Sequence, residues 1–270
     1  MKIMRNKYIA ILISILAFGV IGCGNAVVES IENSQESETI ILTNDADSNE
    51  NDTQNDFEDN VSDSNEDAEI RAKLKEVMAE NEDAFAWITV DGTNIDGPVF
   101  QSWEEDDYYA GHDRTFQDDN IGEMYIEMAN IIDMCDFNTV IHGSGGEEGV
   151  FAELINFENP DFFEVNEEFT IYLADNNKLK YEIWAVMERD NTSLIRDYDF
   201  TYSSGCKQFL DDVYGNKVMG KHIRGGWGDA NENMFMVTLT VDNPDSNKQL
   251  IVIGALVEDE MGTINRLVME

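Results

Sequence analysis

The sequence predicts a mainly β domain: a closed or nearly closed β-barrel with short helices, set behind one N-terminal helix and a disordered tether. Three observations carry this. Many short runs are rich in Val, Ile, Phe, Tyr and Thr and are bounded by turn residues. Only a few helical patterns interrupt them, which fits a barrel better than a layered α/β sheet. At 270 residues, with 42% hydrophobic residues and no visible internal repeat, the chain has room for one ordinary domain plus extensions.

Residues 1–22 read as a signal peptide. Lys2, Arg5 and Lys7 form a basic start, and residues 8–21 are apolar and uncharged. That run is shorter than the roughly 20 residues needed to span a bilayer. It ends in Val20-Ile21-Gly22-Cys23, which resembles the lipobox of bacterial lipoproteins. The resemblance implies that the Cys23 thiol takes up lipid and becomes the new N-terminus. Two or more acyl chains would then hold the protein firmly at the membrane, at about 0.8 kcal/mol per buried CH₂. The expected location is extracytoplasmic, lipid-anchored to the outer face of the cytoplasmic membrane.

Residues 23–66 read as an acidic disordered linker, and residues 67–270 as the folded domain. Between residues 24 and 70 there are 15 Asp and Glu and no Lys or Arg. Such a segment buries too little apolar surface to offset its ordering entropy. The whole chain carries a formal net charge of -39. That charge repels phosphate backbones and anionic lipid heads, so nucleic acid is excluded as a partner.

Within the domain, Ile70, Leu74, Val77 and Met78 are spaced for one helical face over residues 67–81. Asp67 and Glu69 suit its N-terminal turn. Strands are predicted at 85–90, 97–101, 123–128, 139–142, 169–173, 180–187, 234–241 and 250–257. Short helices fit 151–157 and 207–214.

The order and content of these segments over residues 81–257 resemble class B sortases, the transpeptidases that join surface proteins to the Gram-positive wall. The resemblance starts with Ala86-Trp87-Ile88-Thr89-Val90 and continues through Gly92-Thr93-Asn94-Ile95-Asp96-Gly97-Pro98-Val99. Asp107-Tyr108-Tyr109 with His112-Asp113, Asn138-Thr139-Val140-Ile141, Tyr181-Glu182-Ile183-Trp184-Ala185-Val186 and Thr238-Leu239-Thr240 follow in the same order as in that family. The resemblance implies an eight-stranded sortase barrel. It also implies a Cys nucleophile that forms a thioester, a His acid–base group and an Arg that supports the substrate or the oxyanion.

All three positions read differently here. The family His position falls on Ser144, with His142 two residues earlier, about 6.6 Å away along a strand. The Cys position, after Thr238-Leu239-Thr240-Val241, falls on Asp242. The Arg position falls on Gln249; its neighbour Lys248 would face the other way. The expectation is a barrel without sortase chemistry, which binds a peptide or cell-wall component in a groove lined by Ser144, Asp242 and Gln249. The alternative is an active transpeptidase or hydrolase with a displaced set. Its candidates are His142 with Asp242, or Cys206 with His222 and Arg224.

Other signals are weaker. Cys135 and Cys206 are read as buried thiols or as an extracytoplasmic disulfide. Residues 221–227 are locally basic and read as a surface loop or as a contact site for an anionic or peptide partner. The acidic runs at 104–107 and 117–120 lack the spacing of a calcium loop. No His or Cys cluster has metal-ligand spacing, and no cofactor is implied.

Overall fold

The structure, a computed structural model, describes residues 56–226, 230–243, 247–267 and 269. The signal peptide, Cys23 and most of the acidic linker lie outside the described residues. The chain begins with α1 (Asp56–Glu80). It continues through β1 (Ala84–Val90), β2 (Asp96–Phe100), β3 (Met124–Ile126) and β4 (Asn138–Gly143). A 3-10 helix at Ala152–Glu158 leads into α2 (Pro160–Val165), then β5 (Glu168–Leu173) and β6 (Lys178–Asp190). The remainder is α3 (Leu194–Asp197), α4 (Ser203–Gly215), β7 (His222–Ile223), β8 (Met236–Asn243) and β9 (Lys248–Asp259).

Strand order is β5-β1-β2-β3-β4-β8-β9-β6-β7, and β5 also pairs with β6. Eight strands therefore close into a barrel, and β7 is a two-residue addition on the free edge of β6 beyond β5. Most neighbours are antiparallel. β2–β3 and β4–β8 are parallel, so the chain must cross over between them.

Side-chain alternation sorts the core. On β8, Val237, Leu239 and Val241 face the barrel interior, and on β9 so do Leu250 and Val252. Met236, Ile251, Ile253 and Ala255 point outward into a second core under α3 and α4, built on Trp184, Phe209, Leu210 and Val213. A third cluster seats α1: Ile70, Leu74 and Val77 pack on Trp87, Phe100, Tyr109 and Tyr172. Around it, Asp67 accepts from Tyr172 Oη (2.7 Å) and pairs with Lys178 (2.9 Å). Lys178, with some help from Tyr172, holds the Asp67 carboxyl below its usual range although its partial burial opposes this.

Every predicted strand is present. β3 is shorter than expected, and β6 and β9 are longer. The expected helix at 207–214 is α4, and that at 151–157 is a 3-10 helix. α1 starts at Asp56, eleven residues before the expected helix start, and Ile70, Leu74 and Val77 are buried on it.

Candidate functional site

The site lies where β4, β8 and β9 end together. β4 runs parallel to β8 with His142 opposite Thr240 and Gly143 opposite Val241. β8 pairs with β9 with Val241 opposite Leu250 and Asp242 opposite Gln249. Ser144 follows Gly143 directly. Positions 144, 242 and 249 thus form one row across three neighbouring strands, with 142, 240 and 251 two rows before it.

Gln249 is buried, only 4% exposed, and fully occupied. Its Nε2 donates to the carbonyls of Asp190 (3.2 Å) and Thr192 (2.7 Å), and its Oε1 accepts from Thr240 Oγ1. It ties β9 to β8 and to the loop after β6. Lys248 lies on the opposite face of β9 from Gln249, as strand alternation requires, and pairs with Asp190.

Ser144 is half-buried. Its Oγ accepts from Val150 N–H (3.2 Å), and its carbonyl accepts from Phe151 N–H (3.0 Å). The glycine loop is thereby folded back on itself. A side chain at Gly149 would strike the carbonyls of Ser144 and Gly145, at 2.3 and 2.4 Å, so only glycine fits that close approach.

His142 stacks on Tyr125 of β3, its partner in register (ring centroids 5.1 Å, interplanar angle 20°). Its Nε2 lies 3.4 Å from Glu127 Oε1, longer than a well-formed hydrogen bond. This contact draws the buried Glu127 carboxyl below its usual range, against its desolvation. Ser193 Oγ also donates to the same oxygen (3.2 Å). At the other end of β3, Glu123 accepts from Arg114 N–H (3.1 Å). Burial raises its carboxyl above the usual range; the Arg114 N–H bond and charge oppose this, and the charges of Asp113 and Asp119 add to it.

These groups enclose a cleft of about 230 Å³ lined by Glu123, Tyr125, His142, Ser144, Thr240 and neighbours. Ser144 and His142 are brought together there, with Thr240 beside them. Gln249 reaches the cleft only through Thr240. The sequence reading missed Glu123, Tyr125 and Glu127. Their signal was present in the alternation Glu123-Met124-Tyr125-Ile126-Glu127, polar residues on one face and apolar residues on the other.

The displaced candidates stand elsewhere. Cys135 and Cys206 are both free thiols. Cys206 is a buried residue of α4, with Phe200 O as its hydrogen-bond partner, and burial raises its thiol while Arg266 partly offsets this. Burial also raises the Cys135 thiol, which contacts Asp133 O. Neither sulfur has an imidazole among these contacts. His222 is bound to Glu158 O (2.9 Å) and packs against Phe163. Arg224 donates to Ile183 O (3.0 Å) and Phe163 O (2.6 Å) and pairs with Glu167. Lys221 donates to the carbonyls of Val213, Tyr214 and Asn216 at the end of α4. The basic segment is spent on internal bracing. Among the described residues no cluster of metal-binding side chains occurs, and no helix is long and apolar enough to cross a membrane.

Eight closed strands, with a cleft at the shared ends of β4 and β8, define the sortase type of barrel. No family model matches the chain. It is 25% identical over 193 residues to sortase B of Listeria monocytogenes, covering 70% of this chain and 76% of that protein. Sortase B of Staphylococcus aureus is 22% identical over the same shares. Among solved structures, a mutant form of Clostridium perfringens sortase B superposes with a TM-score of 0.63 at 25% identity, covering 73% of this chain and 92% of that one. A Streptococcus pyogenes class B sortase involved in pilus biogenesis gives 0.60 at 26% identity, covering 68% and 97%. The chain therefore carries a class B sortase-like domain.

Proposed function

We propose that this protein is a membrane-tethered pseudo-sortase, which binds an extended peptide or a cell-wall component and does not join it to anything. The observation that carries the reading is the row at 144, 242 and 249. At the strand ends where the family resemblance calls for His, Cys and Arg, the chain has Ser, Asp and Gln. Neither a hydroxyl nor a carboxylate supplies the thiolate that a thioester needs. Gln249, already holding Thr240 and two carbonyls, has no charge to offer an oxyanion. Lipidation at Cys23 would place the domain outside the cytoplasmic membrane, with the acidic linker as its tether.

An extended ligand suits a cleft at strand ends, where backbone groups and alternating pockets can be read together. The test is incubation of the purified protein with sorting-signal peptides and an amine acceptor. No transpeptidation or hydrolysis above background is expected, and turnover would overturn the reading.

A second reading is favoured by the His142–Glu127 pair, which could act as an acid–base couple within a displaced catalytic set. If turnover is found and His142→Ala or Asp242→Ala abolishes it, the protein is an active sortase-type enzyme.

A further inference from the structure

We propose that the cleft between β3 and β4 takes a positively charged side chain, lysine or arginine, from an extended peptide. The proposal rests on the binding reading above and names the ligand class for the same site. Three features converge. Tyr125 and His142 stack on each other in the lining of the cleft, and a tyrosine ring attracts a cation to its face. Glu123 stands in the wall with one carboxylate oxygen held by the Arg114 backbone N–H. A bound cation would offset the cost of keeping that carboxylate partly buried near Asp113 and Asp119.

The charge of the exposed Arg114 side chain already offsets part of this cost, but it acts from outside the cleft lining. Among its lining residues there is no Lys or Arg, and Ser144 and Thr240 add only hydroxyl groups. Behind His142, Glu127 adds a second carboxylate. An anionic or C-terminal carboxylate ligand would meet repulsion here, whereas an ammonium or guanidinium group meets a ring face and a carboxylate together.

The experiment captures peptides on the immobilised full chain from an equimolar library of end-blocked hexapeptides with one randomised position. Lys and Arg are expected to be enriched at least 5-fold over Asp and Glu. Glu123→Gln should cut that preference to below 2-fold, and Tyr125→Leu should weaken it. Asp211→Asn, an exposed carboxylate on α4, should leave it unchanged. The net charge alone would enrich cations nonspecifically, so a preference that survives Glu123→Gln overturns the proposal. Retention of peptides without cation preference also overturns it, while leaving the binding reading intact. Retention of no peptide at all overturns the proposal together with the peptide form of the binding reading.

Discussion

At the scale of single residues, the carboxyls of two glutamates at opposite ends of β3 are shifted in opposite directions. The His142 contact depresses the Glu127 carboxyl below 4.5, so its ionised form favours the folded chain. That contribution is present above about pH 4.5 and is lost as pH falls through the lower folded value. Glu123 has the opposite sign. Its carboxyl is raised, so its contribution is full below pH 4.5 and is lost as pH rises through the folded value. Glu127→Gln should therefore lower the melting temperature at pH 7, with the deficit shrinking toward pH 3. Glu123→Gln should raise it at pH 7, with the gain shrinking on the same descent. Thermal melts at four pH values check both signs. The sequence held part of this site. Strand alternation was enough to put Gln249 and Lys248 on opposite faces of β9. It could not reveal that His142 meets Glu127, because that contact depends on which strand lies beside β4.

At the scale of elements, packing decided more than propensity. The helix starting at Asp56 is almost without apolar residues in its first turns, and periodicity becomes readable only at Ile70, which is buried. Leu74 is 2% exposed in the cluster that seats α1 on Trp87 and Tyr172. Leu74→Ala should cost about 2–5 kcal/mol, read as a lower denaturation midpoint at an unchanged slope. α2 had a signal that the sequence reading passed over. Asn159 caps it by accepting from Asp161 N–H (2.9 Å), and Pro160 occupies the first turn, where its missing N–H costs nothing. β7 had none, since two residues carry no period. Lys221, His222 and Arg224 read as a surface loop or a contact site, because composition reveals charge but not the carbonyls that these side chains meet.

At the scale of the whole molecule, closure is the property that a linear reading reaches least directly. The strand list was legible from β-branched and aromatic runs. The pairing of β5 with both β1 and β6, which shuts the barrel, came only through family likeness. The seam is tight. A methyl group at Gly254 on β9 would fall 2.3 Å from the Phe169 ring of β5 and 3.0 Å from Tyr181 of β6. Gly254→Ala should therefore destabilise the domain by about 1–3 kcal/mol through overpacking. Circular dichroism and tryptophan fluorescence should still report one coincident unfolding transition.

That expectation of a single transition follows from β6. This strand supplies Leu179, Tyr181, Ile183 and Val186 to the barrel interior, and Trp184, Ala185 and Met187 to the core beneath α3 and α4. One stretch of backbone is common property of two hydrophobic compartments. Neither compartment can be lifted out as a smaller foldable piece, and shortening the chain to isolate the helical layer would forfeit the barrel along with it.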